Sequence, residues 1–523
     1  MVRNRNSWSL LVAAFCLCHD GSTMKLPPPC DSSIYCTGEL LHQVQMAKLF
    51  NDDKHFVDMK LKINPDVVLE AFQNLTATSP PRLTKEQLKL FVQTYFDSPG
   101  QEFEKWTPGD WGDQDSYWII KGLLLSEMSE TAKGMIENFL YLIQRFEFIP
   151  NGGRVYYERR SQPPFLVLMM DSYIKVTNDR AFLRQNIDLL DKEYDFWMKN
   201  RTVLVIAGGK THLVNRYIVE AAGPRPESYS KDVDLAKSLT EAARGDLWLE
   251  LKTGAESGWD FSSRWFIDSN GENNGTLKDT KTTYILPVDL NSVLCRNERV
   301  LAMFHRELGN SLKAQYYEEA LKSRKAAVRD IFWDETQGIW FDYNLMRNHS
   351  NTAFYASNLA PLWAECFTEQ EPGETAEMVI HYLEEQQLLW YSNGIPTSLV
   401  ASGEQWDYPN AWPPLQQIII EGLAKSNSET VRSIAIQQAQ KWIQANWAVY
   451  QKHQSMFEKY DVSGDGKPGG GGEYDVQVGF GWTNGVALEL LDQYGAHLTS
   501  GVTVQTCLSL LAVLPVGFLL SHF

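Results

Sequence analysis

The strongest constraint on the fold of this 523-residue chain is a helical spacing of apolar side chains that persists over residues 121–497. Leu124, Met128, Met135 and Phe139 recur at intervals that place them on one face of a helix. Comparable runs cover residues 164–178, 179–200, 286–308, 311–333, 373–389, 412–425, 429–456 and 483–494. We therefore predict an all-α fold in which antiparallel helices form a closed toroid.

Glycine- and proline-rich loops separate the predicted helices and offer places for functional side chains. The short run 338–343 predicts a β-hairpin arm. No repeat is obvious in the sequence, which argues against a solenoid. We expect residues 24–114 to form an irregular N-terminal arm that packs against a barrel of residues 115–497.

Charge and aromatic content narrow the functional classes. The net charge is −17, and no basic stripe that could bind nucleic acid is present. An acidic protein suits a neutral substrate better than a polyanionic one. The 17 tryptophans fit flat platforms for sugar rings, although most are expected to fill a helical core. We expect no metal, no cofactor and no nucleic-acid partner, and we leave a homodimer open.

The N-terminus has the plan of a secretory signal peptide. Arg3 and Arg5 precede an apolar run over residues 8–18, which is too short to span a bilayer. Small or polar residues then follow up to Thr23. Residues 1–23 are therefore predicted to direct export.

The C-terminus resembles a signal for a glycosylphosphatidylinositol (GPI) anchor. Residues 508–520 are almost wholly apolar, and the small residues Ser500 and Gly501 precede them. Ser500 is the predicted attachment site and residues 498–523 the signal, which would place the protein on the outer face of the plasma membrane. A plain C-terminal membrane tail is the alternative, because the spacer is short.

Cysteines and sequons agree with export. Four cysteines lie outside the terminal segments, at Cys30, Cys36, Cys295 and Cys366. They allow three pairings, and the sequence does not choose among them, although the first two are close enough for a small loop. Four glycosylation sequons are predicted to lie on the surface, at Asn74, Asn200, Asn274 and Asn348.

The first candidate for chemistry is Asp260, which lies between aromatic residues in the loop 255–265. A glycosidase needs one carboxyl group that holds a proton and one that is ionised. Partial burial among aromatic rings would raise the pKa of Asp260 and suit it to the acid role. The alternative interpretation is that Asp260 caps the N-terminus of a helix.

The second candidate is Glu473, which follows four glycines at residues 469–472. Glycines allow the chain to fold tightly over a ligand, so the loop could deliver a carboxylate to a site. A flexible linker with an incidental glutamate is the alternative. A partial calcium-loop pattern at Asp461, Ser463 and Asp465 is a third and weaker reading, because the glutamate falls one place late.

Further clusters supply aromatic and cationic side chains. Residues 404–414 place Trp406 near Trp412 just before a proline-started helix, which indicates an aromatic wall or a structured helix start. Arg160 and Arg225 could hold carboxylates or sugar hydroxyls with a rigid fork, although a single arginine is more often a surface residue.

Together these segments resemble the trehalase family. The resemblance rests on residues 150–154, 160–164, 225–229, 256–265, 405–412, 469–473 and 479–485, in the family's order. It implies an (α/α)6 barrel that hydrolyses the α,α-1,1 bond of trehalose with inversion, with Asp260 as the acid and Glu473 as the base. Residues that align with sugar-site positions are Asp115, Asn151, Arg160, Gln162, Arg225, Glu227, Gly258 and Trp406. The terminal signals resemble those of animal, GPI-anchored members.

One family signature is largely missing. The family carries an arginine- and phenylalanine-containing motif before the first barrel helix, and only residues 115–118 of it remain here, with Gln114 in place of tryptophan. Residues 107–113 do not substitute for it. We interpret this as an internal deletion of one or two helical elements. Pro413 also stands where the family usually has alanine.

Three functions follow from these observations. The first is an active trehalase. The second is a surface protein that keeps the barrel and binds sugar but is catalytically impaired, because the signature is deleted. The third is another inverting barrel glycosidase that acts on a different disaccharide.

Overall fold

The computed structural model describes residues 26–78, 82–99, 113–368 and 373–498. The predicted signal peptide, Ser500 and residues 107–112 lie outside these ranges. Within them, no helix combines the length and apolar character needed to cross a bilayer.

The N-terminal arm is more regular than the sequence indicated. Its elements are α1 (Glu39–Met46), α2 (Asp53–Val57), β1 (Lys60–Leu61), α3 (Pro65–Thr78), α4 (Lys85–Tyr95) and β2 (Phe96–Asp97), and the two strands pair antiparallel. They enclose a core of their own, which Tyr156 of the barrel enters. Asp53 accepts hydrogen bonds from the backbone and hydroxyl of Ser230, so the arm is fastened to the barrel.

The barrel begins at α5 and is mainly helical. Its helices are α5 (Asp113–Leu125), α6 (Ser129–Phe146), α7 (Leu166–Thr177), α8 (Arg180–Asn200), α9 (Tyr229–Ala236), α10 (Glu241–Glu256), α11 (Val288–Glu307), α12 (Ser311–Ala327), α13 (Ala360–Ala364), α14 (Glu374–Glu385), α15 (Pro413–Ala424), α16 (Glu429–His453) and α17 (Gly481–Tyr494). Most helices predicted from periodicity lie within a few residues of these bounds.

Short strands lie between the helices. They are β3 (Thr202–Ala207), β4 (Lys210–Asn215), β5 (Ile285–Leu286), β6 (Trp333–Asp334), β7 (Ile339–Trp340), β8 (Asp342–Asn344), β9 (His349–Asn351), β10 (Asn410–Ala411), β11 (Tyr460–Asp461) and β12 (Lys467–Pro468). The prediction that residues 338–343 supply a β-hairpin arm is confirmed, because β7 pairs antiparallel with β6 and β8 pairs antiparallel with β9. The β3–β4 hairpin was not predicted.

The ring of the barrel is closed by helices α5, α7, α11, α13, α15 and α17, each in contact with the next and the last in contact with the first. Helices α6, α8, α12, α14 and α16 form an outer layer. The inner helix α7 is buried almost all round, as a helix enclosed by others must be. The prediction of a helical barrel is confirmed.

Two glycines allow the ring to close. A Cβ added to Gly485 on α17 would collide with the carbonyl oxygen of Trp118 on α5. A Cβ added to Gly122 would stand 2.8 Å from the Cα of Gly485. The first and last helices of the ring therefore touch backbone to backbone, which only glycine permits.

Both cysteine pairs form disulfides. Cys30 bonds Cys36 in the arm, and Cys295 on α11 bonds Cys366 just beyond α13. The second bond joins two neighbouring helices of the inner ring. The four sequon asparagines are all exposed, as a glycosylation acceptor must be.

Candidate active site

The loops at one end of the barrel enclose a cavity of about 600 Å³. The structure brings all ten sequence-predicted catalytic and sugar-site residues to its wall: Asp115, Asn151, Arg160, Gln162, Arg225, Glu227, Gly258, Asp260, Trp406 and Glu473. The arm also contributes, since Asp52, Lys54 and Asp58 line the same cavity.

Asp260 is held at the cavity by its own loop rather than by a helix. The helix-cap interpretation is wrong, because Ser262 and not Asp260 caps the following turn. Asp407 fixes the loop by accepting hydrogen bonds from the hydroxyls of Ser262 and Ser263 at 3.0 and 2.8 Å. Gln405 donates to the carbonyl oxygen of Asp260 at 2.5 Å.

Glu473 is held by cations and a hydroxyl. Arg225 donates two hydrogen bonds to its carboxylate, at 3.1 and 2.8 Å, and Ser228 donates a third at 3.2 Å. Lys231 donates to the Glu473 carbonyl oxygen. The glycine loop is thus not a free linker in this structure, because Glu473 at its end is fixed through both its side chain and its backbone.

The two carboxyl groups differ in their affinity for a proton. Burial, reinforced by the nearby charge of Glu473, raises the pKa of Asp260 to about 7. Burial alone would also raise the pKa of Glu473, but the Arg225 guanidinium and its hydrogen bonds outweigh burial and lower that pKa. At slightly acid pH Asp260 is therefore protonated while Glu473 is ionised.

A second set of charges, Arg160 and Glu227, lines the same cavity. Arg160 donates to Asn151 Oδ1 and to Glu227 Oε1, both at 2.6 Å, and its guanidinium lies 4.9 Å from the ring centre of Tyr157. These bonds fix the polar atoms of three loops relative to one another. The wall can therefore present hydrogen-bonding groups at defined positions.

Stacked indoles form the floor of the cavity. Trp406 stacks on Trp412 with ring centres 3.8 Å apart and planes 4° apart, and Trp259 lies behind Trp406 at 5.1 Å. Both Trp406 and Trp412 line the cavity. This confirms that residues 404–414 form an aromatic wall, and Pro413 starts helix α15 beside it.

Several buried polar atoms in the wall have no protein partner. Within the described ranges, Gln162 Oε1, Glu227 Oε2 and Trp406 Nε1 are buried and accept or donate no hydrogen bond. Buried polar groups are normally paired, so such atoms around a cavity indicate a polar ligand. A hydroxyl-rich molecule would satisfy both the acceptors and the donor.

Sequence reasoning missed several residues of the site. Glu458 and Tyr474 line the cavity and are bonded to each other at 2.9 Å, and buried Lys459 donates to Glu458 and to Gln405. Tyr474 follows Glu473 directly and could have been suspected. Glu458 and Lys459 precede the glycine loop without any motif that we recognised.

Asp115, at the start of helix α5, adds a further carboxyl group to the cavity. Burial raises its pKa to about 8, with smaller contributions from Glu458 and Asp260.

The calcium-loop interpretation of Asp461, Ser463 and Asp465 gains no support, because no group of acidic, histidine or cysteine side chains in the described ranges could hold a metal ion.

A closed ring of helix pairs, with two carboxyl groups of opposite pKa shift in one polar cavity, is typical of helical-barrel glycoside hydrolases. The trehalase family profile matches residues 48–115 and 111–495. The chain belongs to the trehalase family.

Curated relatives and a solved structure agree with this family. The chain is 49% identical to trehalase of Homo sapiens over 544 aligned positions, which cover 92% of each protein. It is 41% identical to trehalase of Apis mellifera, covering 94% of this chain and 88% of the relative. The neutral trehalase Nth1 of Saccharomyces cerevisiae superposes with a TM-score of 0.60 at 25% identity, covering 73% of this chain and 71% of that one.

The match to the family is divided at one place. Its two segments meet at residues 111–115, at the start of helix α5. The alignment with the human protein is also longer than this 523-residue chain, so it contains gaps in this chain. The division lies where the sequence analysis predicts an internal deletion.

Proposed function

We propose that this protein hydrolyses α,α-trehalose to two glucose molecules with inversion, with Asp260 as the general acid and Glu473 as the general base. The observation that carries the proposal is the opposite shift of the two pKa values within one cavity. Asp260 would protonate the glycosidic oxygen. Glu473 would take a proton from the water that attacks the anomeric carbon.

The surroundings of the two carboxyl groups support a disaccharide substrate. The unpaired oxygens of Gln162 and Glu227 can accept hydrogen bonds from sugar hydroxyls, and Trp406 can donate one. A cavity of about 600 Å³ has room for two sugar rings.

The test is glucose release from trehalose by the purified chain, followed by NMR of the anomeric protons. Inversion turns the attacked ring into β-glucose while the leaving ring stays α, so the two anomers should first appear in equal amounts. Only α-glucose at early times would exclude inversion. A higher rate on maltose than on trehalose would favour the third function, an inverting glycosidase for another disaccharide.

The assigned roles can be tested by substitution. Asp260→Asn and Glu473→Gln should each lower kcat by at least about 100-fold, since each removes a proton-transfer group. Asp188→Asn and Glu377→Gln are matched controls on exposed helix faces and should keep wild-type rates. Wild-type activity in either site variant, with an unchanged circular-dichroism spectrum, would remove that role.

Sugar binding without turnover is the second candidate, and the divided family match before α5 favours it. In that case calorimetry would detect trehalose binding to a folded protein that releases no glucose. Glucose release by the wild-type chain would exclude this candidate.

We further propose a GPI-anchored position on the cell surface. The exposed sequons and the two disulfides support passage through the secretory pathway. Phosphatidylinositol-specific phospholipase C should then release the protein from cells. Retention on the membrane after this treatment would favour a spanning tail instead.

A further inference from the structure

A second cavity, which we term the rear cavity, lies behind Glu473. Its volume is about 330 Å³, and it shares Glu473, Arg225 and Lys231 with the main cavity. The rest of its wall consists of Asp232, Leu235, Leu277, Gly403, Glu404 and Gly472. Glu473 therefore faces two cavities, and only the main one contains the rest of the sugar-site residues.

Glu404 lies beside Glu473 because their two loops are bonded backbone to backbone. Gly472 donates to the carbonyl oxygen of Gly403 at 3.0 Å. A Cβ on Gly471 would stand only 2.6 Å from that oxygen, and Gly471 and Gly472 have φ values of 82° and 75°. The glycines thus let their loop lie directly on Gly403. Glu404 follows Gly403 and Glu473 follows Gly472, so this contact brings the two glutamates together.

The Glu404 carboxyl group is half-buried, in a setting where a proton can be exchanged. Burial raises its pKa to about 7, with added effects of the Glu473 and Asp407 charges, while Arg225 acts in the opposite direction. Lys231 and Asp232 of α9 are the other charged groups on the rear cavity. Among the hydrogen bonds and ion pairs of the described residues, none involves the Glu404 carboxyl oxygens.

An inverting cycle leaves its base with a proton to lose. Water oxygen bonds to the anomeric carbon, the glycosidic C–O bond breaks, and the Asp260 proton goes to the leaving oxygen. One water proton goes to Glu473. Before the next turnover Glu473 must release that proton and Asp260 must regain one.

We propose that Glu404 takes the proton from Glu473 and passes it to solvent through the rear cavity. This inference rests on the proposed function, because it needs Glu473 to act as the base. Glu404 accepts this proton on one carboxyl oxygen and releases a proton from its other oxygen to water in the rear cavity, so the protons balance and no other reactant is required. Glu404 does not touch the substrate and acts only through Glu473.

The test is a comparison of Glu404→Gln with the wild-type protein and with Glu377→Gln, which makes the same change on an exposed face of α14. Proton release follows cleavage of the C–O bond. Loss of the Glu404 relay should therefore lower kcat but leave kcat/KM, which reports the steps up to bond cleavage, nearly unchanged. We expect kcat and KM of Glu404→Gln to fall together, by about tenfold, with kcat/KM within about threefold of wild type.

Chemical rescue separates proton relay from structural support. Formate or acetate at increasing concentration should restore kcat of Glu404→Gln, because a small acid can enter the rear cavity and carry the proton. Leu277→Trp, which narrows this cavity without a change of charge, should lower kcat and weaken the rescue. Glu377→Gln should respond to neither acid.

Three results would overturn the inference. They are a wild-type kcat in Glu404→Gln, a fall in kcat/KM as large as the fall in kcat, or a fall in kcat that small acids do not reverse. Absence of glucose release by the wild-type protein is a different outcome. It would overturn the proposed function itself.

Discussion

Arg225 bridges two carboxylates with one guanidinium group, donating to Glu473 on one side and to Asp232 on the other. The side chains of Arg225 and Asp232 are each only 2% exposed. The Asp232 contacts fix the arginine, and the arginine in turn sets the position and the charge of Glu473. The proton affinity of the proposed base therefore depends on a residue 248 positions away in the sequence.

Replacement of Arg225 by lysine should lower the fraction of Glu473 that is ionised. Lysine keeps the charge but cannot donate in parallel to both carboxylates, so burial should then raise the pKa of Glu473. We expect kcat/KM to fall by about 100-fold, with the acid limb of its pH profile moved to higher pH. Steady-state kinetics from pH 3 to 8 would measure both effects. An unchanged acid limb would show that Arg225 does not control this ionisation.

The pH profile of the wild-type protein follows from the two pKa shifts. As the proposed acid, Asp260 must be protonated, so activity should decline as pH rises through about 7. As the proposed base, Glu473 must be ionised, and its pKa is lowered, so activity should persist down to below pH 4.5, the ordinary value for glutamate. A plot of kcat/KM against pH should be bell-shaped, and a constant rate up to pH 9 would contradict the acid role of Asp260.

The sequence predicted the parts of the barrel that bury apolar side chains. Met135 and Phe139 of α6 are buried as the spacing requires. The prediction that Leu124 and Met128 share their helix face is wrong, because Leu124 lies on α5 and Met128, which is 47% exposed, lies between the two helices. Helix α10 was not predicted, because the face that it buries near the site carries Glu250, Lys252 and other polar side chains. Periodicity of apolar residues cannot reveal a helix whose buried face is polar.

The site residues were predicted from motifs, whereas the contacts that join them to other loops were not. The spacing of Asp260 and Glu473 along the chain says nothing about Glu404 or Lys459, which join the same network through contacts between distant loops. The arm residues of the cavity were missed for the same reason. Their place depends on packing of the arm against helix α9 and the turn before it.

Asp407 should be essential for the position of Asp260. Its carboxylate is wholly buried and accepts hydrogen bonds from Ser262, Ser263, Ser398 and Ser402. Asp407→Ala would leave these donors unpaired, and we expect the free energy of unfolding to fall by about 3 kcal/mol.

Asp407→Asn tests the same contacts with less disruption, because the amide keeps the shape and one acceptor oxygen. It should lose less stability than Asp407→Ala but still lower kcat, since the acid loop is less firmly held. Urea unfolding and glucose release would measure the two effects. Equal stability of Asp407→Ala and the exposed control Asp188→Ala would contradict this role.

The disulfide between Cys295 and Cys366 should contribute more stability than the one between Cys30 and Cys36. The Cys295–Cys366 bond links positions 71 residues apart and ties helix α11 to the end of α13. The Cys30–Cys36 bond links positions only 6 residues apart within the arm. Loop-closure entropy in the unfolded chain predicts about 4 kcal/mol for the longer loop and about 2 kcal/mol for the shorter one. Double alanine variants of each pair, unfolded in urea and followed by tryptophan fluorescence, would measure the difference. Because the Cys295–Cys366 bond joins two helices of the inner ring, its loss should also lower the temperature at which activity is lost, while loss of the Cys30–Cys36 bond should leave that temperature nearly unchanged. A larger loss of stability from the Cys30 and Cys36 pair would show that the arm, and not the ring, limits the stability of the protein.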